Sequence, residues 1–544
     1  MVVTKVIKKS CTIKAIRGDN SENVANTVKY CKKNGISKLV LEKGEYHFYP
    51  ELAAEAQNCC VSNHGHNGFR RTAFLIEDMK SFEIDASGSL LVFHGAMNAV
   101  IARRCGSVTV KNLSVLYERT NHAAYRVVES CEDHVDIKPC GERQFVYENG
   151  LLYHENEQGM RDLVYSCVEK DPKTQLFVTG EQCFGNDFLY HKNANITGDT
   201  IRIYAPERMP AVGNSVILIA AERYANALLV IDCGDVTFEG CCVYRCYGIA
   251  YMAQKCGNVT LKHCRTDNYK DNIFSANADA SHFVGCFGKI VIDDCDFRYQ
   301  LDDGVNIHGV FTRILKVTDN SLFVRYSHYQ CRGIRAFDDG CTVSVLSDGS
   351  LIPYMDKTVL KVNEINTECT ELVLKGGTGG IREGDIIDSI DFYPEVLIEN
   401  SCFADNRGRG ILIGSKRKSV IRNNYFRVNG TAVLLESDCS YWYESGGAGD
   451  LLIEENVFDG CIYTERPWGD KVIYTVPRAF MEKNKYYHGK IVIRDNDFSS
   501  SNAPAVDIGN VRYLSVSGNR FSDAKGSIRS YHCGNVPEEG GGLK

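Results

Sequence analysis

The chain has no apolar run long enough to span a bilayer, no basic excess and no CxxC pair. The first absence removes transmembrane helices. Residues 1–20 carry scattered lysines without the apolar stretch of a secretory signal. The expectation is a cytoplasmic protein with no membrane partner, or a secreted or periplasmic one if a leader has been trimmed. A net charge of -7 leaves nothing to hold a phosphate backbone, so nucleic acid is not an expected partner. Adjacent pairs such as Cys59-Cys60 and Cys241-Cys242 lack zinc-ribbon spacing, and the 24 cysteines read as buried, reduced thiols. No metal and no cofactor is expected.

What the chain does have is a repeat. The phrase Cys-Gly-x-Val-Thr followed by an apolar residue occurs at Cys105, Cys233 and Cys256, the last two 23 residues apart, with a looser copy at Cys286. A second phrase, Asn-x-Phe, occurs at Asn424, Asn456, Asn496 and Asn519, the last interval again 23. A period near 23 is too short for helical-pair repeats. It fits one coil of a parallel β-helix, with three short strands and Gly or Asn at the corners, in which equivalent residues stack about 4.8 Å apart. The Cys, Asn and Phe columns then become internal ladders. Stacked cysteines such as Cys233 and Cys256 would lie within the ~4.4–6.8 Å Cα range of a disulfide, although reduced ladders fit better.

Ahead of the repeats, Val24, Ala25, Val28 and Cys31 fall at helical spacing before the strand Lys38-Leu39-Val40-Leu41. This predicts a helix capping the open end of the stack. Two stretches lose the repeat and alternate apolar with polar residues, as in Thr200–Tyr204 and Cys341–Val345. The fold predicted is all-β: a right-handed parallel β-helix with an N-terminal capping helix and two inserted small β-barrels. The expected division is cap and first coils at 1–120, a barrel at 121–223, central coils at 224–309, a second barrel at 310–391, and C-terminal coils with a Gly-rich tail at 392–544. Barrels projecting from a rod offer surfaces for a homodimer.

The chemistry concentrates in Leu301-Asp302-Asp303-Gly304-Val305-Asn306-Ile307-His308-Gly309, and Asp279 precedes Asp302 by 23 residues, one repeat. That spacing predicts that Asp279 and Asp302 occupy equivalent positions on neighbouring coils. Asp302 and Asp303 face one cleft only if they sit at a corner or bulge, which Gly304 permits. Three close carboxylates raise one another's pKa and so provide both a protonated and an ionised acid, as glycoside hydrolysis requires. A calcium site or a turn-capping pair is the competing reading, which the one-repeat register disfavours. Asn306 and His308 follow on the same strand as candidate binding residues. Arg407 and Arg409, at strand spacing, are candidate neighbours of the acids. One alignment puts Arg409 over Asp303 and another puts Arg407 over Asp302. Glu436, Asp438, Trp442 and Glu444 combine carboxylates with one of only two tryptophans, a pairing suited to a sugar's hydroxyls and its C–H face.

These motifs, Asn277-Ala-Asp-Ala-Ser-His-Phe283, the run from Asp302 to Gly309, Asn406-Arg-Gly-Arg-Gly-Ile-Leu-Ile413 and the Asp438-to-Gly447 stretch, resemble those of glycoside hydrolase family 110, the exo-acting α-1,3-galactosidases, and the likeness covers nearly the whole chain. The resemblance implies an inverting enzyme acting on oligosaccharides or glycoconjugates with terminal α-1,3-galactose, of blood group B type or linear. It further implies Asp302 as general acid and Asp279 with Asp303 as the pair that activates water. Gly304 stands where many relatives carry Ala. The alternatives are another β-helix polysaccharide-active enzyme, polygalacturonase-like or a lyase, or a non-catalytic glycan-binding β-helix.

Overall fold

In a computed structural model the described residues are 3–7, 9–62, 68–179, 194–204, 208–220, 222–464, 467–476, 484–499, 503–522 and 527–534. The Gly-rich tail expected after residue 534 lies outside them. The expected β-helix is present. Asp235–Glu239 pairs in parallel with Asn258–Lys262, and that strand with Lys289–Asp293. The ladder continues through Glu395–Glu399, Ser415–Arg422, Ala448–Glu454 and His488–Arg494 to Val506–Ser517. One hydrophobic core runs through the stack, from Cys11 to Leu514.

A corner column explains why these coils close. The residue before the corner takes a left-handed φ between 52° and 65° in coil after coil: Gly240, His263, Asp294, Asn400, Asn423, Glu455, Asp495 and Gly518. The next residue turns inward and bonds to a neighbouring coil. In the early coils it is a thiol: Cys241, Cys264 and Cys295 donate to the carbonyls of Val110, Phe238 and Leu261. In the late coils it is an amide: Asn424 donates to Asn456, Asn456 to Asn496 and Asn496 to Asn519, at 2.9–3.0 Å. Beneath it Phe403, Phe426, Phe458, Phe498 and Phe521 stack with centroids 4.8–5.2 Å apart, and Phe297 meets Phe403 edge-on at 5.9 Å. The described cysteines are all free thiols.

The helix Ser21–Lys33 buries Val24, Ala25, Val28 and Cys31, as its spacing predicts. It is preceded by a hairpin, Val3–Ile7 with Ser10–Ile13, whose second strand joins Lys38–Leu41 in parallel. Two antiparallel units interrupt the coils. Strands between Ala123 and Ala220 form an eight-stranded sheet whose end strands are not paired with each other among the described residues. Six strands between Thr312 and Ser389 close into a barrel. No helix among the described residues is long and apolar enough to cross a membrane.

Candidate active site

The three aspartates converge: a carboxylate oxygen of each lies within 4.8 Å of the others. The register differs from the one the 23-residue spacing predicts. Ser281 pairs with Val305, which sets Asp279 opposite Asp303 rather than Asp302. The Asp302-Asp303 pair occupies a bend before the strand Val305–Val310, so both side chains join Asp279. On the other side Val305 pairs with Ile411, which sets Arg409 opposite Asp303 and settles the choice between the two arginines.

Arg409 grips Asp303 through three nitrogens, its backbone N at 2.8 Å, Nε at 2.9 Å and Nη2 at 2.8 Å, and Nη1 lies 3.4 Å from Glu436. Such close approach needs a glycine: a Cβ on Gly408 would stand 2.8 Å from Asp303 Oδ1 and 2.7 Å from the Asp302 carbonyl carbon. Arg407 turns elsewhere, its guanidinium 4.3 Å from the centre of the Trp468 ring. Asp302 is ion-paired at 2.7 Å to Arg223, a residue the sequence reading did not single out. Arg223 comes from the end of the first insertion, and no spacing rule links it to the repeat.

Asp279 has no guanidinium at hydrogen-bond distance among the described residues; its Oδ2 lies 2.6 Å from His282 Nδ1. His282 Nε2 meets His308 Nε2 at 2.8 Å, and His308 Nδ1 meets the Gly309 carbonyl at 2.6 Å. A carbonyl only accepts, so His308 carries its proton on Nδ1. His282 then donates from Nε2, and its Nδ1 accepts from a protonated Asp279. Burial, reinforced by Asp302, holds the Asp279 carboxyl well above the usual range. Burial also pushes the imidazoles down, His282 to about 4. Asp303 is pushed up to about 7 by burial and by its two aspartate neighbours, with Arg409 opposing. Asp279 is the carboxyl of the three without a guanidinium partner, and the hydrogen-bond chain through the two imidazoles favours a proton on it. His282 could have been noticed in the sequence: it stands three residues beyond Asp279 and pairs in register with Asn306.

Glu444 closes the far side, with Oε1 3.5 Å from His308 Nε2 and Oε2 3.5 Å from Asn306 Nδ2. Burial raises Glu436. Asp438 is committed to its own loop. It accepts from Ser440 N at 2.8 Å, Tyr441 N at 2.9 Å and Trp442 N, and these bonds hold it below the usual range although burial opposes them. It is therefore a loop organiser and not a free acceptor for sugar. Trp442 is 43% exposed rather than packed under the loop. Two groups at this site bring three potential metal-ligand atoms within 4.8 Å, the three aspartates, and His282, His308 and Glu444; Glu129, Cys131 and His134 form another in the first insertion. In the first, two carboxylates already have guanidinium partners; in the second, the imidazoles face each other. A cavity of about 970 Å³ lies apart from the aspartates, between the first insertion and the coils, beside Tyr125, Arg126, Cys140, Tyr269 and Lys270.

Comparison with known proteins places this parallel β-helix chain among the glycoside hydrolases. α-1,3-Galactosidase A of Bacteroides fragilis strain YCH46 is 29% identical over 88% of this chain and 80% of its own length. The A enzyme of Shewanella woodyi is 28% identical, over 90% and 81%. The B enzyme of Bacteroides thetaiotaomicron is 26% identical, over 91% and 82%. The family described as GLAA-B beta-barrel domain II matches residues 321–387, within the closed barrel. The resemblance to glycoside hydrolase family 110 thus holds along most of the chain. Among solved structures, a mannuronan C-5 epimerase A-module from Azotobacter vinelandii overlays with a TM-score of 0.38 at 8% identity, covering 96% of each chain. A family 28 exopolygalacturonase from Yersinia enterocolitica gives 0.37 at 10% identity, covering 98% of this chain and 79% of that one.

Proposed function

We propose that the chain is an exo-acting, inverting α-1,3-galactosidase that removes terminal α-1,3-linked galactose from glycans. The observation that carries the chemistry is the cluster of three aspartates opposed by two arginines, a site that keeps one proton among three carboxyls. Asp302 takes the role of general acid. Its side chain is 13% exposed, against 6% for Asp279 and 1% for Asp303, so it is the carboxyl best placed to reach a glycosidic oxygen. Asp279 and Asp303 lie deeper and accept the proton of the attacking water. The resting proton on Asp279 passes to Asp302 within the cluster once the incoming sugar takes Arg223 from its carboxylate. Arg409 and Glu436 line the galactose pocket, with Asn306, His308 and Glu444 around them.

Inverting sites commonly separate their carboxyls by ~6.5–9.5 Å and retaining ones by ~5–5.5 Å. The closest oxygens here are nearer than either, so inversion rests on the family resemblance. Proton NMR of galactose released from α-1,3-galactobiose tests it: β-galactose is expected first, and initial α-galactose overturns inversion. Asp302→Asn is expected to lose turnover of galactobiose yet keep much of it on an aryl galactoside with a good leaving group, while Asp279→Asn loses both. The opposite pattern would move the acid role to Asp279.

A further inference from the structure

One group of side chains has no part in the chemistry above. Tyr329, Tyr441 and Trp442 are 54%, 59% and 43% exposed, three large rings gathered at one place from two different elements. Tyr329 opens the short 3-10 turn Tyr329–Cys331 of the inserted barrel, and the other two belong to the loop that Asp438 organises. His328 joins them. Its ring centre lies 4.7 Å from that of Tyr329, 5.1 Å from Tyr441 and 4.9 Å from Trp442. Isolated exposed rings are ordinary, but a cluster of them marks a binding surface.

His328 supplies a second, independent observation. It is only 6% exposed, yet neither ring nitrogen has a hydrogen-bond partner among the described residues. Burial lowers its pKa, so the ring is neutral, with one nitrogen able to donate and one able to accept. A buried polar group left unpaired is costly, and both nitrogens remain available to a partner from outside the chain. The cluster also adjoins the aspartate site through two residues. Glu444, two residues beyond Trp442, reaches His308, and Tyr329 lies within electrostatic range of Arg223, the partner of Asp302.

An exo-acting site encloses the terminal sugar and leaves the remainder of the glycan outside. The geometry points to Tyr329, Tyr441, Trp442 and His328 as the subsite for the sugar on the reducing side of the cleaved bond. The flat rings cover its C–H face, and the His328 nitrogens hydrogen-bond to its hydroxyls. This assignment rests on the glycosidase reading of the aspartate cluster, and it makes the oligosaccharide beyond galactose a determinant of specificity.

The test pairs kinetics with binding on the full chain. Substrates are an aryl α-galactoside, which has no second sugar, and α-1,3-galactosyl oligosaccharides with one to three sugars on the reducing side. The wild-type protein is expected to prefer the oligosaccharides through KM. Tyr441→Ala, Tyr329→Ala and His328→Phe are each expected to lower the oligosaccharide-to-aryl ratio of kcat/KM by about ten-fold, with the loss in KM rather than kcat. Equal losses on both substrates, or an unchanged ratio in variants with native circular dichroism, overturn the subsite. The binding arm follows Trp442 fluorescence in a Trp468→Phe background while the galactose-free product oligosaccharide is titrated. Quenching that Tyr329→Ala abolishes, in a protein that hydrolyses nothing, would keep the subsite and sink the glycosidase reading. Hydrolysis with no quenching would do the reverse.

Discussion

Asp303 is 1% exposed and depends on Arg409 for its charge balance, so Arg409→Met would leave a buried carboxylate facing two others. The expected loss in kcat/KM is at least about 100-fold, measured on galactobiose alongside thermal unfolding. The same cluster fixes the sign of a pH effect. Asp303 moves from 3.8 to about 7 on folding, and Asp279 also rises, so the folded protein holds protons that the unfolded chain has released. Their stabilisation is complete below the unfolded pKa and is lost as pH rises towards the folded one. The Tm is therefore expected to fall between about pH 4 and pH 7, and to fall less in Asp279→Asn. The aspartates were legible in sequence because the repeat and the adjacent pair flagged them. Their register was not, because Asp302 and Asp303 share a bend and only one of them can lie opposite Asp279. Arg223 and His328 were hidden for a different reason: they reach the site from inserted units, across distances that no local spacing encodes.

At the scale of the element, the corner column carries the regularity. Asn456 accepts from Asn424 N and Nδ2 and donates to Asn496 Oδ1 and the Ile421 carbonyl, all buried. Asn456→Ala orphans those partners and is expected to cost about 1–3 kcal/mol, read from urea unfolding. Gly304 is tightly constrained: a Cβ there would meet the Gly410 carbonyl oxygen at 2.6 Å and Phe403 Cδ1 at 2.8 Å. Gly304→Ala is expected to destabilise by about 1–3 kcal/mol and to lower turnover, since Gly410 adjoins Arg409. The amide and phenylalanine ladders were legible because their residue types repeat. The continuation of the amide column through Ser401, Cys295, Cys264 and Cys241 was not, because the inward group changes from amide to hydroxyl to thiol while the backbone position stays the same.

Across the whole molecule, coil length varies where the strand positions do not. Successive corner contacts span 31, 106, 23, 32, 40 and 23 residues, and the excess leaves the stack as loops or, in the 106-residue step, as the inserted barrel. A 23-residue period is thus the shortest coil rather than a fixed one, which is why the repeat was visible only in patches. Val324 is fully buried in the barrel and touches none of the aspartates. Val324→Asp is expected to unfold the barrel and abolish galactose release, with hydrogen exchange rising in the loop from Asp438 to Trp442.

The contact between Asp303 and Arg409 spans 106 residues of chain and a single strand spacing. The proposed site therefore sits on a seam between two halves of the solenoid. If the intervening segment were unstructured, closing it would cost about 1.4 kcal/mol more than closing a 23-residue coil. The barrel removes most of that cost, because Thr312 pairs with Ile387 and brings its own ends together. The barrel's two ends are thus held side by side by its own pairing. With the first coils complete, Arg223 alone faces Asp279, Asp302 and Asp303, and Asp303 still lacks Arg409. The site is thus charge-balanced only when the second half of the solenoid is docked, and any activity is expected to require that contact.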